Sequence, residues 1–297
     1  MSYEVRTTPT GIAVDGLTEF NLTDIFECGQ CFRYYKIDQR YRLITNGQIS
    51  ELWFENNTLM IDNITVDDFI DYYENYFDLN TDYKSVLKSL RDNDPQFAEY
   101  IPSESGLRIL RQDILETIIS FIISSNNNIP RIKLIINNIC SLKGEPIEFD
   151  GVVYYKFPSL DSLKSMSISD FKYCGAGYRA RYLADTITVL DRLSKQYGSL
   201  EEFFDGLNYH AIIRALKSLP GVGDKVANCI ALFAFHQTQS FPIDTWIEKA
   251  LYRVYLLPTN RGLNYLQQFA QDRYGNLGGY AQQYLYYYLR GKIRWIK

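Results

Sequence analysis

The chain has 297 residues, of which 46% are hydrophobic and 15% aromatic, so it can bury an extensive core in two packed units. No apolar run approaches the roughly 20 residues that a membrane span requires, and the start lacks a basic region followed by an apolar segment, so we expect a cytosolic protein without a secretion signal. The net charge of −4 argues against nucleic-acid binding, which usually leaves a basic footprint.

The charge is unevenly distributed along the chain. Residues 51–105 contain 13 acidic and 3 basic side chains, a net charge of −10, which leaves +6 for the remainder. The last 47 residues contain seven Lys or Arg and one Asp. We interpret this as an acidic back and a basic working surface, although runs of charge are also typical of solvated surfaces.

The five cysteines do not predict a disulfide framework, because their number is odd and they are scattered along the chain. Only Cys28 and Cys31 have the spacing of a motif. A second pair is missing and both histidines are distant in sequence, which argues against structural zinc. We therefore expect no metal site among these cysteines.

From Cys31 to about Ile61 the pattern is that of short β-strands. Residues 31–37 and 40–45 are rich in aromatic and β-branched residues, Asn46-Gly47 is typical of a hairpin turn, and two further apolar segments flank Asn56-Asn57. From about Val66 to the end the periods are helical. The sequence therefore predicts an α+β fold, with an antiparallel β-rich N-terminal domain at 1–82 packed on a mostly helical body at 83–297.

Two polar turns interrupt the helical body. Asp113 to Ser125 is a predicted buried helix, followed by three asparagines at 126–128 and by Pro130, which fits the first turn of the next helix. Residues 175–181 form a glycine turn that leads into another helix, Gly-Ala-Gly-Tyr-Arg-Ala-Arg. Read from the residues alone, the first is a polar loop and the second a helix cap with two exposed arginines.

Residues 209–236 predict two helices joined by a tight hairpin. The apolar face of the first ends at Pro220-Gly221-Val222-Gly223, where both glycines can take positive φ, and a second helix starts at once with Asp224 as its candidate cap. The free amides at a helix start can hold a phosphate. The hairpin is therefore either a clamp for a DNA backbone or an ordinary helical corner.

Lys225 and Asp244 are the candidate catalytic residues. Lys225 lies in the first turn of the second helix, where the helix dipole lowers a lysine pKa by less than about one unit, so most of the ~3 units needed for a neutral amine must come from desolvation. Asp244 follows the apolar Phe241-Pro-Ile run and is a candidate N-cap. In that position its carboxylate could also stabilise an oxocarbenium-like sugar.

The combination Leu219-Pro-Gly-Val-Gly-Asp-Lys-Val-Ala227 with Pro242-Ile-Asp244 resembles the helix-hairpin-helix DNA glycosylases, and among them the 8-oxoguanine DNA glycosylase/lyases. The resemblance extends from about Phe20 to near the C-terminus. It implies that Lys225 attacks the sugar C1′ and forms a Schiff base, that Asp244 stabilises the sugar cation, and that Gly221 and Gly223 belong to the DNA-binding hairpin. It implies no cofactor, apart from a possible structural cation held by the hairpin carbonyls.

The resemblance also assigns binding residues to the turns. Asn126 and Arg131 match residues that contact the unpaired partner base, where Arg131 could donate two hydrogen bonds to cytosine. Tyr178 and Arg179 match residues that wedge into the duplex and hold the partner strand.

For the damaged base, the resemblance implies a pocket of four residues. Gly29 matches a glycine whose carbonyl reads the hydrogen on N7 of 8-oxoguanine, and Gln282 matches a glutamine for the Watson–Crick edge. Tyr286 and Cys229 match residues on the two faces of the base, although an aromatic in this Tyr-rich helix is also typical of simple packing. Two departures are Trp246, where the vertebrate-type enzymes have a histidine, and the missing second acidic residue near Leu289.

The resemblance implies a monomeric, bifunctional glycosylase and abasic-site lyase that acts on double-stranded DNA containing oxidised purine, preferentially 8-oxoguanine opposite cytosine. In a bacterium it would lie at the nucleoid. One alternative is an alkylpurine or other damaged-base glycosylase of the same superfamily, which would activate water and would not need Lys225. Others are a non-catalytic helix-hairpin-helix DNA-binding module, with Asp244 only a cap, and a protein-binding scaffold.

Overall fold

A computed structural model describes residues 3–259 and 261–290. The first two residues of the predicted N-terminal domain and the last seven of the predicted helical body, with three of the basic residues near the C-terminus, lie outside the described residues. Six antiparallel strands form the N-terminal sheet in the order β1-β2-β6-β5-β4-β3. Their bounds are β1 Glu4–Thr7, β2 Gly11–Asp15, β3 Tyr34–Ile37, β4 Arg40–Thr45, β5 Gln48–Glu55 and β6 Thr58–Asp62.

One row of buried side chains crosses four of these strands. Tyr41 pairs with Leu52, Leu52 with Ile61, and Ile61 with Ile12. All four are buried, because alternate residues of a strand point to the same face of the sheet. The predicted turn at Asn46-Gly47 is confirmed, with φ of +49° and +67° at the two residues.

The rest of the described chain is mainly helical, as predicted. The helices are α1 Leu22–Phe26, α2 Val66–Asp68, α3 Glu74–Tyr76, α4 Tyr83–Asn93, α5 Pro95–Tyr100, α6 Ile114–Ser124, α7 Ile129–Lys143, α8 Leu160–Lys164, α9 Ile168–Tyr173, α10 Arg179–Tyr197, α11 Leu200–Phe204, α12 Tyr209–Lys217, α13 Asp224–Phe233, α14 Thr245–Val254, α15 Leu263–Tyr274 and α16 Gly278–Arg290. A π turn, Phe69–Tyr73, joins α2 to α3, and a 3₁₀ turn, Gly275–Leu277, precedes α16. No helix in the described ranges is long and apolar enough to cross a membrane.

The prediction that helical periods continue from Val66 to the end was wrong at one place. Strands β7 Pro146–Phe149 and β8 Val152–Tyr155 form a separate hairpin. Asp150 and Gly151 make its turn with φ of +54° and +70°. An Asp-Gly dipeptide is a hairpin signal, but the flanking segments of four residues are too short to show a period of two.

The apolar side chains pack in two clusters. One lies between the N-terminal sheet and α1 to α3, and the other joins α4 to α16. Cys28 and Phe32 come from the N-terminal part of the sequence but belong to the helical cluster. The segment between α1 and β3 therefore passes from one cluster to the other, while the division of the chain at residue 82 stays a prediction.

Helix α6 is the centre of the helical cluster. From Thr117 to Ser124 every residue is buried, as expected for a helix that is packed on all sides. Phe121 of α6 stacks on Phe233 of α13, with ring centroids 5.4 Å apart. This packing brings the C-terminal end of α6, at Ser124, close to the start of α13.

We expect His236 to make the stability of the fold depend on pH. Its imidazole is 12% exposed, with Nε2 3.4 Å from Asp78 Oδ2, and burial lowers the pKa of His236 from 6.5 to about 4 even though Asp78 opposes the shift. Because the unfolded chain takes up the proton at a higher pH, we expect stability to fall between about pH 6.5 and 4, by up to about 3 kcal/mol.

The variant His236→Asn tests this expectation, because asparagine tolerates the positive φ of +48° at this position. The free energy of unfolding, measured by urea titration across that pH range, should depend less on pH in the variant than in the wild type. An unchanged slope would assign the pH dependence to other groups.

Candidate active site

Gly221 forms the tight turn between α12 and α13. The amide of Val222 donates to the carbonyl of Leu219 at 3.1 Å, and Gly221 takes a φ of +83°. A Cβ at Gly221 would lie 2.8 Å from Cβ of Tyr182 on α10. Backbone conformation and close packing therefore both require glycine here.

Two details of the predicted hairpin were wrong. Gly223 does not use positive φ: it has φ −93° and ψ −174°, and it is the N-cap of α13. Asp224 is therefore not the cap but the first helical residue, and its carboxylate pairs with Lys217 at the end of α12. Because Gly223 has no side chain, no side-chain cap occupies the amides at the start of α13, and a phosphate can approach them. The cation at the hairpin carbonyls stays a prediction.

The Lys225 amine is half-buried between polar and aromatic neighbours. Its Nζ lies 3.4 Å from Oγ of Ser124 and 5.4 Å from the ring centroid of Phe121. The Ser124 hydroxyl itself donates to the Phe121 carbonyl at 2.8 Å, so the lone pairs of its oxygen are available to Lys225. Ser124 was not predicted as a site residue, because its only signal in the sequence was its place at the end of a buried helix.

Lys225 and Asp244 line the same cavity, of about 60 Å³. Its other lining residues are Cys28, Gly29, Phe121, Cys229, Phe233, Pro242, Gln282, Gln283 and Tyr286. The structure thus brings the two predicted catalytic residues together with all four residues predicted to bind the base. A larger cavity of about 580 Å³ lies elsewhere, at the start of α6, and contains none of these residues.

Asp244 caps α14, as expected from its position. A single oxygen, Oδ1, accepts both cap hydrogen bonds, from the amides of Trp246 at 3.0 Å and Ile247 at 2.8 Å. The second oxygen takes no part in the cap. The carboxylate can therefore hold the helix start and still present an anionic oxygen to a substrate.

Gly29 and Tyr286 approach each other closely at the cavity. Gly29 has φ +80°, and a Cβ there would lie 3.3 Å from Cε1 of Tyr286. Burial raises the pKa of the Tyr286 hydroxyl to about 12, so the ring is neutral at physiological pH. The Gly29 backbone and the Tyr286 ring therefore lie side by side in the wall of the cavity of about 60 Å³.

The remaining polar groups of the cavity are suited to a neutral ligand. Gln282 is buried, and its Oε1 accepts no hydrogen bond from the residues that the structure describes. An unpaired buried acceptor is costly unless a ligand supplies a donor. Burial raises the pKa of the Cys229 thiol, although Lys225 opposes the shift, so Cys229 presents a neutral sulfur.

The predicted DNA-contact residues outside the cavity occupy two connected turns. The side chains of Asn126 and Arg131 are exposed, and Tyr178 is 58% exposed. Arg179 is buried instead, and it donates to the carbonyls of Ser125 and Asn126 at 2.9 Å each. Arg179 therefore holds the asparagine turn against the start of α10, a role that its sequence position did not show, and its contact with DNA stays a prediction.

Cys28 and Cys31, the two cysteines with the spacing of a motif, lie in the segment between α1 and β3. Cys28 and Cys31 are both buried and free, and they belong to different apolar clusters. Over residues 3–259 and 261–290, no group of three or more His, Cys, Asp or Glu side chains could hold a metal ion.

Comparison with known proteins identifies the family. The family model for the N-terminal domain of 8-oxoguanine DNA glycosylase matches residues 14–118. The N-glycosylase/DNA lyase of Saccharomyces cerevisiae is 31% identical over 274 residues, which cover 84% of this chain and 72% of the yeast protein. The chain belongs to the 8-oxoguanine DNA glycosylase family.

Two other members of the 8-oxoguanine DNA glycosylase family extend the comparison. The crystal structure of the Clostridium acetobutylicum 8-oxoguanine glycosylase/lyase, bound to double-stranded DNA with cytosine opposite 8-oxoguanine, is 37% identical with a TM-score of 0.92, covering 98% of this chain and 99% of that one. The N-glycosylase/DNA lyase of Arabidopsis thaliana is 37% identical over 202 residues, 65% of this chain, and the match spans about half, 54%, of the plant protein. The predicted family and fold class are thereby confirmed.

Proposed function

We propose that this member of the 8-oxoguanine DNA glycosylase family excises 8-oxoguanine from duplex DNA and then cleaves the strand as a lyase. The observation that carries the proposal is the cavity shared by Lys225, Asp244 and the base-binding group Gly29, Cys229, Gln282 and Tyr286. An amine and a carboxylate beside a base pocket are the groups that a glycosylase/lyase requires.

In the proposed reaction, Lys225 Nζ forms a bond to the sugar C1′ as the glycosidic bond breaks. The base leaves with the electron pair of that bond and takes up a proton, while the Asp244 carboxylate stabilises the positive charge that develops on the sugar. Opening of the sugar ring and loss of a proton from nitrogen give a Schiff base. Removal of a C2′ proton then expels the 3′ phosphate and nicks the strand.

The base is recognised by its hydrogen-bonding edge. Oxidation at C8 puts a hydrogen on N7, so an acceptor such as the Gly29 carbonyl pairs with 8-oxoguanine and faces an acceptor on normal guanine. The unpaired Oε1 of Gln282 can accept a hydrogen bond from the Watson–Crick edge. Tyr286 and Cys229 would cover the two faces of the ring.

Trapping with borohydride tests the proposal. Incubation with an 8-oxoguanine:cytosine duplex and borohydride should give a covalent adduct between protein and DNA, whereas a guanine:cytosine duplex should give none. A released base without any trapped adduct would instead support a glycosylase that activates water. No release from the damaged duplex would reject the proposed function.

Arg131 is the residue that we expect to read the opposite base, since its side chain is exposed at the start of α7. Arg131→Ala should reduce the preference for cytosine opposite the lesion by roughly 1–3 kcal/mol, the value of a bidentate contact. Single-turnover excision from duplexes with each of the four partner bases measures the preference. Arg181→Ala, which removes an exposed arginine paired with Asp185 on α10, is the matched control. Equal partner preferences in wild type and Arg131→Ala would remove Arg131 from this role.

A further inference from the structure

Three glutamine side chains hold the segment that contains Gly29. They come from different parts of the chain: Gln30 from the segment itself, Gln112 from the residues before α6, and Gln283 from α16. Gln30 and Gln283 are 0% and 2% exposed. Burying a side-chain amide without hydrogen-bond partners is costly, so we expect these amides to bind polar groups.

Two of the glutamines occupy the carbonyls on either side of Gly29. Nε2 of Gln283 donates to the carbonyl of Cys28 at 2.9 Å, and Nε2 of Gln112 donates to the carbonyl of Gln30 at 2.8 Å. The carbonyl of Gly29, between them, accepts no hydrogen bond from any residue of the described chain, and Gly29 lines the cavity. The segment thus leaves the middle one of three successive acceptors free.

The side chain of Gln30 fixes the segment from the other side. Its Nε2 donates to the carbonyls of Ile25 and Arg108, and its Oε1 accepts from the amide of Leu110, all at 2.8 Å. The backbone N–H of Gln112 in turn donates to the carbonyl of Phe233, the last residue of α13, the helix that carries Lys225. The Gly29 segment is therefore attached to α1 through Gln30 and to α13 through Gln112.

This restraint matters because the peptide between Gly29 and Gln30 could otherwise rotate. A trans peptide has its C=O and N–H on opposite sides, and a glycine such as Gly29, with φ +80°, opposes such a rotation less than other residues. Rotation by half a turn would put the Gln30 N–H where the Gly29 carbonyl had been. A donor there would pair with N7 of normal guanine and would oppose the N7 hydrogen of 8-oxoguanine.

The thiol of Cys28 adds a contact of the same segment. Its Sγ donates to the carbonyl of Ile25 at 3.1 Å, the same carbonyl that accepts from Nε2 of Gln30. The residue before Gly29 is therefore held both by its side chain and, through Gln283, by its carbonyl.

We propose that Gln112 and Gln283 are positioning residues for damage discrimination, which keep the Gly29 carbonyl rather than the Gln30 N–H towards the base. Neither side chain reads the base in this role: each holds a carbonyl next to the one that does. The inference rests on the proposed function, since it assumes that Gly29 distinguishes 8-oxoguanine from guanine.

The test compares Gln283→Met and Gln112→Met with the wild type, because methionine keeps the length of the side chain and removes the donor. Dissociation constants are measured for two duplexes whose target nucleotide, 8-oxoguanine or guanine, carries a 2′-fluorine that blocks cleavage. The dissociation constant for guanine divided by that for 8-oxoguanine should fall by about tenfold in each variant, the effect of one lost hydrogen bond. The fall should arise because binding of 8-oxoguanine weakens while binding of guanine does not.

Tyr288→Phe is the matched control, because it removes a hydrogen bond of the same helix, from Tyr288 to Ser105 at 2.8 Å, away from the Gly29 segment. Its ratio should equal that of the wild type. Nicking of a duplex with a preformed abasic site needs no base recognition, so it should stay at the wild-type rate in Gln112→Met, whose residue does not line the cavity. Circular dichroism and cooperative thermal unfolding show whether each methionine variant is folded. If Gln283→Met does not fold, Gln112→Met, at a half-buried position, decides alone.

The outcomes separate this inference from the function on which it rests. A ratio that stays at the wild-type value in the variants, or equal weakening for both duplexes, overturns the positioning role. A wild type that binds both duplexes alike, or does not release 8-oxoguanine from the cleavable duplex, rejects the proposed function instead.

Discussion

Lys225→Gln is expected to abolish both excision and the borohydride adduct while leaving DNA binding intact. Glutamine is similar in length but has no nucleophilic nitrogen, so the covalent step is lost. We expect the single-turnover rate to fall by at least about a thousandfold, or ~4 kcal/mol in activation free energy. The exposed residues that we predict to contact DNA, Asn126, Arg131 and Tyr178, are unchanged in the variant, so its affinity for an 8-oxoguanine duplex should remain close to that of the wild type.

Lys133→Gln provides the matched control. Lys133 is also half-buried, with its Nζ 3.5 Å from the ring centroid of Tyr34, but it does not line the cavity. Its variant should retain the adduct and the rate. Near wild-type excision by Lys225→Gln would exclude covalent catalysis by this lysine and favour a water-activating enzyme.

The sequence predicted those parts of the site that depend on local pattern. The asparagine turn after α6, the hairpin after α12 and the cap at Asp244 each follow from residue types at fixed spacing, and their positions were predicted correctly. The α+β fold was predicted because the strands and helices have different periods. The family was predicted because the combination of the hairpin with Lys225 and Asp244 is specific. The roles of individual site residues stay predictions.

The sequence did not predict the hydrogen bonds that join segments far apart in the chain. Arg179 was assigned to DNA, yet its guanidinium bonds to the carbonyls of Ser125 and Asn126, which lie more than 50 positions away. The attachment of Gln283 to Cys28 joins residues 255 positions apart. Neither contact leaves a periodic signal, because a side chain that bonds a backbone carbonyl places no requirement on the type of residue that carries the carbonyl.

The hairpin errors have a different cause. Both glycines were expected at positive φ, but one such residue suffices to reverse the chain, and Gly223 in its extended conformation begins the helix. A Cβ at Gly223 would meet no atom within 4 Å. Neither the conformation of Gly223 nor the packing around it requires a glycine. The close approach of a DNA backbone would require one.

Asp244→Asn is expected to slow the chemical step by roughly 100-fold to 1,000-fold, or about 3–4 kcal/mol, the range seen when a group that stabilises transition-state charge is removed. The cap should survive, because both cap hydrogen bonds go to one oxygen and asparagine has an equivalent acceptor. The loss is therefore confined to the anionic character of the side chain.

Two measurements on Asp244→Asn separate catalysis from structure. The free energy of unfolding should change by less than about 1 kcal/mol, since asparagine and aspartate cap helices almost equally well, while the single-turnover excision rate falls as above. Asp113→Asn, which changes the N-cap of α6 away from the cavity, controls for the general effect of the substitution. A variant that loses several kcal/mol of stability but excises at the wild-type rate would make Asp244 a structural cap only. Slow excision with unchanged stability would indicate that the second oxygen of Asp244, which the cap does not use, contacts the sugar cation of the transition state.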